Sequence, residues 1–124
     1  MKIPKSVYDI LDIKEEDPSK LWLGGIHNIE NISYQKLEQI LAILGEEFYY
    51  DSHNNAYSIG EFLETFKNYA DRTTFSGYIV SPTREDERIS IDQVTTVKTD
   101  ENILSLRYAD ELNIEDDKLH AWWD

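Results

Sequence analysis

The sequence predicts an α+β fold, with N-terminal helices packed on one face of a C-terminal antiparallel β-meander of about 4–6 strands. Two observations carry this. Before residue 72 the apolar residues recur every three or four positions, and after it they alternate at every second one. The chain has 124 residues, 40% of them hydrophobic and 12% aromatic, which suits one core and leaves no room for a second. A single domain over residues 1–124 is therefore expected, helix-rich in 1–72 and strand-rich in 73–124.

Pro4 fits a first helical position, and Val7, Ile10 and Leu11 follow at helical spacing, predicting a short helix over 4–11. Asp17-Pro18 is an N-cap and first-turn pair for a second brief helix through Leu23, closed by Gly24-Gly25. A strand through Leu21-Trp22-Leu23 is the alternative. Tyr34, Leu37, Ile40, Leu41 and Leu44 then make one apolar stripe opposite Gln35, Lys36, Glu38 and Gln39, a helix over 33–44 that Gly45 stops. Ser58 and Glu61 have the spacing of a capping box, and Ile59, Phe62, Leu63, Phe66, Tyr69 and Ala70 form the stripe of a helix ending near Asp71. Between these helices, Phe48-Tyr49-Tyr50 reads as a short strand and Asp51-Ser52-His53-Asn54-Asn55 as a polar turn, with Tyr57 pairing back.

From Thr74 to Val80 the pattern is β-branched and aromatic, with Phe75, Gly77 and Ile79 on one face. A turn at 81–86 leads to a return strand at 87–92, where Ile89 and Ile91 point inward. Val94 and Val97 fall out of phase with it, which predicts a bulge near Asp92-Gln93. A strand over 103–108 and a hairpin of Glu111–Glu115 and Lys118–Trp123, joined at Asp116-Asp117, complete the reading.

The chain carries 25 acidic against 12 basic side chains, a net charge of −13. Residues 1–62 and 63–124 hold −6 and −7 of it, so the charge is spread along the chain. Such a field opposes nucleic acid or anionic membrane as a direct ligand and steers positively charged partners inward. With no cysteine, thiolate chemistry, disulfides and cysteine zinc sites are excluded, and the cytoplasm is the expected compartment. The longest aliphatic run, Ile40 to Leu44, is far short of the roughly 20 residues a membrane span needs.

Catalytic signatures are sparse, and the chain is expected not to be an enzyme and to use no cofactor. There is no Gly-x-Ser-x-Gly elbow and no glycine-rich phosphate loop. His27, His53 and His120 are the only imidazoles, and His27 and Glu30 would share a side only on a helix. No metal site is expected from them. As a calcium loop, the segment from Asp51 lacks the glycine at position six and has Phe62 where the bidentate glutamate belongs. The pairs Asp110-Glu111 and Asp116-Asp117 could be pictured as acid and base. Neighbours on a strand face opposite ways, however, and a working pair needs one carboxyl in an apolar pocket.

The tryptophans point elsewhere. Trp122 and Trp123 are adjacent on a strand, so one belongs to the core while the other is available as a rigid contact. Around them, Asp110, Glu111, Glu115, Asp116, Asp117 and Asp124 oppose only Arg107 and Lys118. The expected function is an acidic interaction domain that binds and inhibits a basic protein partner. Its expected contact residues are Asp110, Glu111, Glu115, Asp116, Asp117, Trp122 and Trp123. Immunity proteins and DNA mimics act in this way as classes, and no motif assigns the chain to either. The alternative is a small-ligand or peptide-binding module with an aromatic cleft, which the many tyrosines would line. A metal-dependent hydrolase would need the histidines to meet carboxylates in space.

Overall fold

A computed structural model of the chain describes residues 3–13, 26–80 and 87–124. The helix expected before Gly24, its strand alternative at Trp22 and the turn at 81–86 lie outside the described residues.

The elements are α1 (Lys5–Ile10), β1 (Ile26–Ser33), α2 (Tyr34–Leu44), α3 (Glu46–Tyr49), α4 (Ile59–Thr65), a 3₁₀ segment (Lys67–Arg72), β2 (Thr74–Val80), β3 (Ile89–Val97), α5 (Asp100–Ser105), β4 (Glu111–Glu115) and β5 (Lys118–Trp122). The strands form one antiparallel sheet in the order β1-β2-β3-β5-β4. This is the expected α+β class, with two elements crossing the expected division of the chain. Strand β1 comes from the helix-rich half, and helix α5 interrupts the strand-rich half.

The pleat separates two kinds of surface. Ile32, Phe75, Val94, Ala121 and Leu112 lie opposite one another across all five strands. The next row is Ser33, Thr74, Thr95, His120 and Asn113, every member polar. Successive side chains on a strand face opposite ways, so a one-residue step exchanges an oily row for a wet one. Helices cover the oily side. Phe62 of α4 packs edge-on against Phe75 at 5.5 Å and against Trp123 at 5.6 Å, and Tyr34 of α2 meets Phe75 at 6.3 Å.

Local chemistry fixes the helix ends. The Ser33 side chain accepts the Lys36 N–H at the start of α2, and Gly45 ends it at φ 80°, ψ −158°, a region essentially restricted to glycine. At α4 the capping box forms in both directions, Ser58 with the Glu61 N–H and Glu61 with the Ser58 N–H. The stripe expected to run on to Asp71 breaks at Phe66, and the chain continues as the 3₁₀ segment with a kink at Tyr69. Glu87, buried beside β3, accepts the Ile3 N–H and the Tyr8 hydroxyl and so ties the N-terminus to the sheet.

Three expected strand features are corrected. Phe48-Tyr49-Tyr50 is not a strand: Glu46–Tyr49 is the helical turn α3, whose first-turn carboxylates Glu46 and Glu47 suit a helix N-terminus. Tyr57 does not pair back; its hydroxyl donates to the Ser105 carbonyl. Residues 103–108 are not a strand either, because the Thr99 side chain accepts the Asn102 N–H and caps α5. The bulge expected near Asp92-Gln93 is present: Ser76 pairs with Gln93 while Gly77 pairs with Ile91, leaving Asp92 extra.

At that bulge β2 and β3 approach so closely that a Cβ on Gly77 would stand 1.8 Å from the Ser90 carbonyl oxygen. Gly77→Ala is therefore expected to abolish folding, because rigid backbone blocks the methyl group. Gly45→Ala meets open space and is expected to cost only the strain of its backbone angles, about 1–3 kcal/mol. Urea denaturation of both variants checks the contrast.

Candidate functional site: the acidic edge of the sheet

Strand β4 pairs only with β5 among the described residues, so its other edge presents backbone N–H and C=O groups without strand partners. Edges of this kind invite pairing with another chain, and charged side chains are the usual means of controlling which chain it is. Here Glu111, Asn113 and Glu115 occupy the outer face, opposite Trp122, His120 and Lys118 of β5. Glu111 and Glu115 lie about 13 Å apart along the strand, four residues at the usual rise. On the inner face Leu112 packs against the core, whereas Ile114, nearer the turn, is 51% exposed.

The turn extends this edge. Asp116 adopts φ 48°, a left-handed conformation that aspartate tolerates better than most residues. The Asp117 carbonyl accepts the Lys98 N–H at 2.7 Å, anchoring the turn to the end of β3. Its carboxylate lies 3.5 Å from Arg72 in a solvent-exposed pair. At the opposite end Asp110 accepts the Asp124 N–H at 2.7 Å and closes the C-terminus against the approach to β4. Asp110 and Asp117 thus have structural partners. Glu111, Glu115 and Asp116 have neither an ion pair nor a side-chain hydrogen bond among the described residues.

The two adjacent indoles divide as their alternation requires. Trp123 is 5% exposed and packs on Tyr57 and Phe62, so it is a core residue and offers no contact surface. Trp122 lies on the outer face between Gln93 and Glu111 and remains partly exposed. The sequence did not single out the apolar residues nearest to β4 along the chain. Leu104 and Tyr108 are strongly exposed, and the Arg107 guanidinium stacks 4.5 Å from the Tyr108 ring while donating to the Leu104 carbonyl. Ile114 was detectable as the last apolar position of a short, acid-flanked strand.

The histidines do not converge. By register His27 belongs with inward-facing Ile79, His120 lies on the outer face and bonds Thr95 at 2.7 Å, and His53 sits in the loop after α3. Among the described residues, no three His, Asp or Glu side chains are placed to hold a metal ion. No known protein family, curated protein or solved structure matches this chain.

Buried Asp92 and half-buried His53 lie away from the edge. Burial pushes the Asp92 carboxyl above its ordinary value, helped by Asp124 and opposed by hydrogen bonds, including one from the Asn54 amide at 3.4 Å. Burial lowers the His53 imidazole; Asp51 opposes this shift and Arg88 reinforces it. A raised acid contributes most stability when protonated and loses that contribution as pH rises through its folded value. A depressed histidine does the reverse, losing its contribution as pH falls below about 6.5.

Two predictions follow from these placements. Trp123→Ala should destabilise by about 3–5 kcal/mol, as for other buried aromatic truncations, whereas Trp122→Ala should cost on the order of 1 kcal/mol. Asp92→Asn, which removes the buried charge, should melt higher than the parent at neutral pH and converge with it in acid below about pH 4. Denaturant titration checks the first, and calorimetry across pH the second.

Proposed function

We propose that this chain is a small acidic interaction domain that binds and inhibits a basic partner protein through the β4 edge and the β4–β5 turn. The observation that carries the reading is the coincidence, on one edge strand and its turn, of an unpartnered backbone and three carboxylates, Glu111, Glu115 and Asp116, that form no ion pair among the described residues, although Lys118 stands across from Glu115. Exposed Ile114 and partly exposed Trp122 stand beside them. In this reading the carboxylates accelerate encounter and orient the partner, while the apolar contacts set the lifetime of the complex. A partner strand with basic side chains at alternate positions would meet Glu111 and Glu115 on one face and add its backbone to β4. Occupying a cationic groove in this way would exclude that groove's own anionic ligand. Two features support this class of partner over nucleic acid: the net charge of −13 and the placement of these acids on an exposed edge.

The test starts with the full chain as bait in extracts of its source cell at low salt. A variant carrying Glu111→Gln, Glu115→Gln and Asp116→Asn runs beside it. The captured partner should be basic and should lose activity on binding. Its association rate should fall steeply as salt rises from about 0.01 M to about 0.15 M, where the screening length shortens from about 30 Å to about 8 Å. The triple variant should associate about tenfold more slowly and unfold no more easily. A rate indifferent to both salt and the triple substitution contradicts the reading.

A further inference from the structure

On the helical side of the molecule, away from β4, α2, α3 and α4 enclose an open cleft of about 460 Å³. Tyr34, Leu41, Tyr49 and Leu63 line it, with Glu38 and Glu64 at its polar side. The position of Tyr49 is set by a missing side chain. A Cβ on Gly60 would fall 2.3–2.5 Å from the far end of the Tyr49 ring, so the phenol occupies the space that any other residue would fill. Tyr49 is nevertheless 40% exposed, and Tyr50 meets it edge-on at 4.9 Å and 76°. A second hollow of about 380 Å³ continues from the first through shared Leu41 and Tyr49, and Glu46 stands at its side.

The charge around these aromatics is lopsided. Glu38, Glu46 and Glu64 are exposed beside the cleft, and among the described residues the one cation lining it is Lys67, which bonds Glu64 at 2.8 Å. Glu38 and Glu46 have no ion-pair partner among the described residues. The inner wall is rigid: the Tyr34 hydroxyl donates to the Leu63 carbonyl, and the phenol's buried setting disfavours its ionisation, an effect the nearby Glu38 and Glu64 increase.

We infer that this cleft receives an arginine side chain of a basic peptide or protein segment, its guanidinium on the exposed Tyr49 ring and its donors directed at Glu38. A guanidinium suits these walls better than an ammonium does. It is planar, weakly hydrated, stacks on aromatic faces and presents forked donors to a carboxylate, whereas an ammonium keeps its water. Arg107 on Tyr108 shows the same stacking elsewhere in this chain. An anion would be repelled by the rim, and a neutral apolar guest would strip water from the carboxylates without replacing its hydrogen bonds. The cleft shares no residue with the β4 edge, so this inference stands apart from the function proposed above.

The experiment titrates the isotopically labelled full chain with acetyl-Gly-Arg-Gly-amide and with its citrulline counterpart, which has nearly the same shape and no charge. The arginine peptide should shift the amides of Leu41, Tyr49 and Gly60 saturably and bind at least fivefold more tightly than the citrulline peptide. Tyr49→Leu and Glu38→Gln should each weaken arginine binding at least fivefold. Glu30→Gln at an exposed position of β1, outside both the cleft and the β4 edge, should leave it unchanged. Equal binding of the two peptides, shifts confined to residues 110–117, or an absence of saturable shifts would each overturn the inference. Equal binding or an absence of saturable shifts would leave the proposal for β4 untouched, whereas shifts confined to residues 110–117 would support it.

Discussion

The row of Ile32, Phe75, Val94, Ala121 and Leu112 across five strands is the contact on which the rest of this molecule depends. It gives the helices an oily surface to cover, and Phe62 and Tyr34 are the side chains that cover it. Because strand side chains alternate, the same row obliges its neighbours to face water. A shift of any strand by one residue would bury Ser33, Thr74, Thr95, His120 or Asn113 without sufficient partners, so the register is set by what cannot be buried as much as by what can.

That register decides where the charge is displayed. With Leu112 held inward against the core, Glu111 and Glu115 must face outward, and the short Asp116-Asp117 connection adds its carboxylates at the end of the same strand. The chain order contributes as well. Strand β5 inserts beside β3, which leaves β4 outermost with one edge unpaired among the described residues. An acidic edge protects a protein from joining copies of itself, since like charges along two such strands repel. It leaves open an encounter with a strand or groove of opposite sign. In the proposed reading, partly exposed Trp122 and half-exposed Ile114 would add the apolar contact that charge alone does not provide.

Much of this was legible in the sequence, and each failure has its own physical cause. The stripe of α2, the capping box at Ser58, the bulge near Asp92 and the final hairpin each rest on short-range chemistry, and each formed. Strand β1 escaped because Ile26, Ile29 and Ile32 are spaced by three. A bulge in which Asn31 takes φ 53° and its N–H bonds Ser76 brings Ile29 and Ile32 to one face, while Ile26, in unbroken register with Ile29, lies on the other and is exposed. An interrupted period of two thus imitates a helical one. At Phe48-Tyr49-Tyr50, strand propensity lost to tertiary position: only Phe48 is buried, and Gly60 makes room for Tyr49. Over 103–108, Leu104 and Leu106 alternate as in a strand, yet Leu104 is exposed and the buried contact comes from Leu106, with Ile103 packed beside it. Of the seven residues expected at the contact surface, Trp123 proved to be core. Which indole faced inward depended on the phase of β5, which alternation alone leaves open.

The central claim is that the β4 edge and its turn display a local surplus of negative potential. Paramagnetic relaxation by small nitroxide probes of opposite charge measures this directly, without any partner. The account predicts that the ratio of cationic to anionic probe enhancement peaks at the amides of residues 111–117. A ratio that is uniform over the surface, or that peaks on another face, would contradict it.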